Sequence, residues 1–599
     1  MKLRRAKGAT RWELADLVAS SEQFAASSKQ VRQELAEIAA ETRKLVPGVS
    51  TKIFTEVIAK VEKLEGQYHA LAGYAELRVA TDQKDSEGRL LQAKLRDLAA
   101  THAEALRPLW RWCKGLAVEG METLDETNAA RLFAAVPKLS YTLSRMRALA
   151  HFSRSEPEER ILTNKDLIAM AAITDLRTQI ETEQTYTVKI PGKKPRVYKT
   201  QAELTRLTQG ASAPARRGAY DALLSVYQKQ LTKYTTIYGA VAKDWDTEAK
   251  LRGYASPISM MNMYNDLSDK SVETLLTVVA EEREVFQKFF RLKVKILGMR
   301  TMSRYDLYAP IKQRDGEREY SQSLQTVFAT FAQFSPRFAA YARKIVDDKH
   351  VDSHPRPGKQ SGAFCMPTPA GITPYVLLNY MGGSRDTLVV AHELGHGVHD
   401  QYASQQSPLA ADPPLPLAET ASTFGELLVF EALYHKETDR EARKELLLNR
   451  LSETYATILR QAYFVKFEQQ AHRLIMETGA TGEQLADLWY QTLIEQFDGV
   501  VKIPKQFRYE WAYIPHIVHT PFYCYAYVFG GLLTMSLYEK YRAEGESFVS
   551  KIEAILSAGG AENPRELLRS VGMDIEDPEF WRGGFSLVKR WVRELAELS

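Results

Sequence analysis

Residues 391–400 read "AHELGHGVHD". His392 and His396 stand four apart, Glu393 follows the first of them, and His399 comes three residues after the second. On a helix, positions i and i+4 share a face, so the two imidazoles can reach one ion. Glu393 lies about 100° further round the same helix. It is poorly placed to be a ligand but well placed to take a proton from a water at the metal. That division of labour is what H-E-x-x-H hydrolysis requires, with zinc as the usual ion. One zinc per chain is therefore expected.

Catalytic zinc usually takes three protein ligands and keeps one position open. The longer pattern H-E-x-x-H-x-x-G-x-x-H would place glycine at 399 and histidine at 402. This chain has His399 and Tyr402, so that solution is absent. A carboxylate from a following helix is the other common one. "LAETASTFGE" offers Glu419 and, two turns later, Glu426. Glu419, at the helix start beside a loop, is favoured as the ligand. Glu426 can orient a ligand imidazole through its other ring nitrogen. Asp400 is on the same helix but beyond the site. His399 reads as a hydrogen-bonded support ahead of a ligand.

The elements that must position these groups are mostly helical. "VRQELAEIAAETRKLV", "NAARLFAAVPKLSYTLSRMRALAHFS" and "KELLLNRLSETYATILRQAYFVKFEQQAHRLIMETG" repeat apolar residues at three- and four-residue intervals. Breaks fall near Pro47-Gly48 and Pro137. "YTVKIPGKKPRVYK" (186–199) alternates around a Pro-Gly turn and predicts a small hairpin. From about 305 to 383 the chain is irregular. There "TPYVLLNY" suggests a strand over Tyr375 to Tyr380, ended by Gly382-Gly383. Ser384 or Asp386 can cap a helix through "TLVVAHELGHGVHDQYASQ". A proline-rich loop follows, and a new helix starts near Leu417. The fold expected is mainly α, with a small sheet beside the metal-binding helix. Three linear segments are expected: 1–115 and 116–185, both helical, and 186–599, carrying the chemistry.

Composition narrows the function classes. Lys+Arg of 79 against Asp+Glu of 75 leaves only +4 over 599 residues, too weak a bias to suggest nucleic acid or an anionic membrane. The short basic clusters Lys2 to Arg5 and Lys193 to Arg196 read as solvated surface. Three scattered cysteines, Cys113, Cys365 and Cys524, form no disulfide framework and suit a reducing compartment. There is no apolar h-region after the basic start, and no run of about 18 apolar residues. A cytoplasmic protein is expected, with no membrane partner; the oligomeric state is not readable.

"HELGH" followed by "AETASTFGE" resembles the M3 metallopeptidases, and within them the oligoendopeptidase F branch. "YDLYAP" (305–310), "KQSGAF" (359–364) and "WAYIPHIVHTPFYCYAYVFG" (511–530) resemble segments of that branch. The resemblance covers roughly 115–590 and is strongest from 350 to 530. It implies a two-lobed helical zincin of gluzincin type with a deep substrate channel, acting on short unstructured peptides. It matches His392, His396 and Glu419 to the family's zinc ligands and Glu393 to its base. It also implies that a downstream histidine and one or more tyrosines hold the substrate carbonyl. Here His516, His519, Tyr523, Tyr525 and Tyr527 are available. His519, Tyr523 and Tyr527 are the first choices as catalytic groups, with His516 and Tyr525 as substrate-binding candidates.

The reaction that follows is peptide hydrolysis, with zinc polarising the carbonyl and Glu393 moving the proton. A peptide is expected to add to "TPYVLLNY" as an extra strand, which makes Tyr375 and Tyr380 candidate contacts. Two other classes compete: a peptide-binding helical protein with an inactive site, and a structural zinc protein. A complete ligand set with its base disfavours the first. The second would more usually employ cysteines.

Overall fold

Three long amphipathic helices open the chain, Ser21–Thr42, Thr51–Thr81 and Ser86–Cys113, each started by a side-chain cap from Ser20, Ser50 or Asp85. They pack on one another through Phe24, Val31, Leu35, Phe54, Val61, Leu91 and Leu98, all buried. The breaks fall as the sequence suggests. The chain turns between Thr42 and Thr51, and Pro137 is the first residue of helix Pro137–Ala148, where its missing N–H costs nothing. This computed structural model describes residues 9–310 and 318–599. The basic cluster Lys2 to Arg5 lies outside the described residues, as does Ile311 just after "YDLYAP".

The chain divides into two compact units, each gathered from three segments. One comprises Met1–Ser153, Asp315–Leu433 and Lys540–Met573; the other comprises Arg154–Arg314, Tyr434–Glu539 and Asp574–Ser599. The first unit holds a three-stranded sheet. Val351–Asp352 pairs in parallel with Tyr375–Leu377, which pairs antiparallel with Phe364–Met366. Tyr375 and Leu377 belong to the same apolar core as the opening helices.

That sheet order corrects one expectation. Tyr375–Leu377 is the middle strand, with both hydrogen-bonding edges already used and all three residues buried. It has no free edge to offer a peptide. Among the described residues the outer strand on one side is Phe364–Met366, which is only partly buried.

The second unit begins with helix Glu156–Thr182 and the expected hairpin, in which Tyr186 pairs with Tyr198 across a turn containing Gly192 at φ 75°. Its core gathers Tyr238, Phe467, Trp489 and Trp511. The long periodic stretch from 444 to 479 forms two helices rather than one, Arg440–Thr457 and Leu459–Thr478, separated at Ile458. Helix Pro578–Leu598 closes the chain with Trp581, Phe585, Val588 and Trp591 buried along one face. Among the described residues no helix is long and apolar enough to cross a membrane.

Candidate metal centre

Helix Ser384–Ala403 carries "HELGH". Asp386 starts it: its Oδ2 accepts the backbone N–H groups of Gly383 (3.0 Å) and Met381 (2.9 Å), and its charge suits the helix N-terminus. The helix packs against the partly buried strand Phe364–Met366 and against the chain around Ala421 and Ser422. That second approach is very close. A Cβ at Gly395 would lie 2.6 Å from Ser422 Cα and 2.7 Å from the Ala421 carbonyl oxygen. Only glycine lets the two segments meet there.

The closeness brings Glu419 to the histidines. A short helical turn, Leu415–Ala418, ends at Glu419, and helix Thr420–Lys436 follows at once. Glu419 Oε2 lies 3.5 Å from His392 Nε2 and 3.4 Å from His396 Nε2. The two imidazoles meet edge to face, with centroids 4.9 Å apart. One ligand atom from each of the three residues lies within 4.8 Å of the others. Two neutral imidazoles and one carboxylate are a donor set that zinc accepts, and this convergence on one oxygen fits a single divalent ion.

Neighbouring groups contact these three residues. Ser422 Oγ donates to Glu419 Oε2 at 2.8 Å. Glu426 Oε2 stands 3.3 Å from His392 Nδ1, an ion-pair distance without hydrogen-bond alignment. His399 is buried close to the backbone of Ala418, the residue before Glu419. It is outside the three-residue cluster, as is Asp400. Ser422 was not singled out in the sequence; its only signal was lying three residues after Glu419 on a helical pattern.

The electrostatics follow from burial and crowding. Burial pulls His392 down, but Glu426 beside it and the charges of Glu419 and Glu393 raise it to about 9. Burial pushes Glu419 up, yet the closeness of His396 and both imidazole charges bring it to about 2. Glu393 is buried beside the ligands, and desolvation raises its pKa against the pull of His392 and His396. A carboxylate made more basic in this way suits a proton acceptor. Burial and the nearby His396 lower His399 to about 4, so it is neutral.

The downstream candidates belong to the other unit. His516, Tyr523 and Tyr527 form one aromatic cluster, each partly exposed. The His516 ring lies 6.3 Å from Tyr523 and 6.0 Å from Tyr527, and the two tyrosines are 5.1 Å apart. His519 is exposed. Tyr525 is buried and accepts a 2.8 Å bond from Asn265 Nδ2. Tyr375 and Tyr380 are buried as well. The Tyr375 hydroxyl donates to the Glu13 carbonyl, and that of Tyr380 to the Arg318 carbonyl, both at 2.8 Å.

The fold is that of a mainly helical zincin, with His392, Glu393 and His396 on one helix and Glu419 just before the next. Residues 206–587 match the model of peptidase family M3, and the chain belongs to that family. Its curated relatives place it with the oligoendopeptidase F branch. It is 25% identical over 401 residues to the chromosomal oligoendopeptidase F of Lactococcus lactis subsp. cremoris, covering 67% of this chain and 66% of that protein. It is 26% identical over 403 residues to the oligopeptidase PepF of Bacillus subtilis, covering 67% of this chain and 60% of that protein. The match thus spans slightly under two thirds of these relatives' length. Among solved structures, a protein from Chlamydophila abortus superposes with a TM-score of 0.86 at 20% identity, covering 98% of both chains. Oligoendopeptidase-F from Enterococcus faecium gives 0.70 at 20% identity, covering 96% of this chain and 99% of that one.

Proposed function

We propose that this chain is a zinc metalloendopeptidase that hydrolyses peptide bonds in short, unstructured peptides. The observation that carries the proposal is the convergence of His392, His396 and Glu419 on one point, with Glu393 buried alongside. Zinc held by those three residues supplies Lewis acidity, polarising the scissile carbonyl and making a water easier to deprotonate. Glu393 takes the proton from the attacking water and returns it to the leaving amine. Glu426, beside the Nδ1 edge of His392, keeps that imidazole turned with Nε2 toward the ion. His399 and Ser422 fix Glu419 from the backbone and side-chain sides.

The strand that receives substrate is better assigned to Phe364–Met366. It packs against the metal-binding helix and carries an outer edge of the sheet. Main-chain pairing there would align a peptide with little regard to its side chains. For the carbonyl oxygen we favour His516, Tyr523 and Tyr527, because these three share a partly exposed cluster. His519 stands outside that ring cluster, and Tyr525 is committed to Asn265. Substrates of oligopeptide size are inferred from the names of the relatives.

Glu393→Gln tests the reading. With zinc added, metal analysis should still give one zinc per chain, while turnover of a fluorogenic peptide should be lost. Loss of zinc from this variant would make Glu393 a ligand and overturn the assignment.

A further inference from the structure

The turn leading into helix Tyr525–Glu544 contains a bulky residue in the left-handed region, Phe522 at φ 61°. Such a backbone persists only where its surroundings over-determine it. Two neighbours on helix Leu459–Thr478 do so. The Phe522 N–H donates to Glu468 Oε1 at 2.7 Å, and the Phe522 ring packs on His472 with centroids 4.7 Å apart. Glu468 and His472 are one turn apart and both buried.

Glu468 is an expensive residue to bury for so little contact. Its Oε2 has no partner, and the nearby His472 ring nitrogens and Tyr238 hydroxyl have none either. The bond to the Phe522 amide is the one hydrogen bond the carboxyl makes among the described residues. The next residue is Tyr523, whose N–H donates to the Thr520 carbonyl and whose own carbonyl accepts from Ala526, so the turn's dihedral sets its direction.

We propose that Glu468 is a positioning residue, whose bond to the Phe522 amide holds the left-handed turn that aims Tyr523 into the His516–Tyr527 cluster. This rests on the reading that the cluster contacts the substrate carbonyl, and the test separates the two ideas. Tyr523→Phe should lower kcat by about 10²-fold, as loss of one oxyanion donor does. Glu468→Leu should lower kcat by a comparable factor with KM little changed and zinc content intact, because a misplaced group costs about 10²-fold. Glu468→Gln, which can still accept from Phe522, should restore most of the activity. In the Tyr523→Phe background, Glu468→Leu should add little, since both act through one group.

If Tyr523→Phe is impaired but Glu468→Leu is not, or if their effects multiply, the positioning role is overturned and the cluster reading stands. If His516→Ala, Tyr523→Phe and Tyr527→Phe all retain wild-type kcat, the cluster reading fails and the positioning role with it. Should Glu468→Leu not fold, it is made together with Phe522→Gly, which takes φ 61° without strain; kcat of the pair should fall below that of Phe522→Gly alone, and equal kcat overturns the proposal.

Discussion

Glu419 and Glu426 share one helical face by sequence, yet they meet different atoms. Glu419 Oε2 is within 3.5 Å of both imidazole Nε2 atoms, while Glu426 meets the far edge of only one ring. Removing a ligand should therefore empty the site, whereas removing the orienting carboxylate should weaken it. Glu419→Ala is expected to lose zinc on dialysis. Glu426→Ala should keep it with affinity reduced about 10–100-fold, read by chelator competition. The reverse order of severity would move the third ligand to Glu426. At this scale the sequence spoke clearly about His392, Glu393 and His396, because a four-residue helical spacing is itself the geometry. It was much less informative about Tyr375, Tyr380 and Tyr525. A tyrosine's position in a strand or helix does not say whether its hydroxyl faces substrate or a neighbouring carbonyl.

Between elements, the decisive feature is the glycine pair in the helix that carries His392 and His396. Gly395 abuts backbone, which cannot yield, whereas a Cβ at Gly397 would press on Ile345 Cδ1, the far end of a flexible side chain. Gly395→Ala should therefore force apart the segments bearing His392 and Glu419. A stability loss of about 1–3 kcal/mol is expected, as for other overpacked contacts, together with weaker zinc binding. Gly397→Ala should be milder in both respects. Urea unfolding and metal titration of the two variants measure this, and equal effects would refute the close-approach argument. Helices and the 186–199 hairpin were readable, since their periodicities and turn residues are local. Strand order was not. "TPYVLLNY" looks like a strand able to take a partner, but its two neighbours come from 351–352 and 364–366. Those segments are too short to show an alternation of their own.

For the molecule as a whole, buried ionisable groups tie stability to pH. Glu468 is fully buried, and desolvation raises its pKa from the ordinary 4.5 to about 8, against the bond from the Phe522 N–H. Burial and Asp412 raise Asp400 from 3.8 to about 7. Both carboxyls hold a proton in the folded state that the unfolded chain has already released. Their contribution is complete below the unfolded values and is lost as pH rises through the folded ones. Two buried histidines act in the opposite direction. His399 and His472 are lowered by burial from 6.5 to about 4, so they cost stability as pH falls between those values. From pH 6.5 to 8 the two carboxyls and His392, which is raised to about 9, all lose their contribution, and stability should decline. Around Glu468 the facing groups are Tyr238, His472 and Cys524, with Asp246 next to His472. Of Tyr238, His472, Cys524 and Glu468, only Glu468 has its folded-state pKa moved to about 8. Glu468→Gln keeps the acceptor for Phe522 but removes the titration. Wild type and variant should be unfolded in urea at intervals from pH 5 to 8, at one fixed zinc concentration. The variant should gain on wild type as pH rises, by a slope approaching 1.4 kcal/mol per pH unit. A stability difference that does not change with pH would mean that Glu468 is ionised in the folded protein.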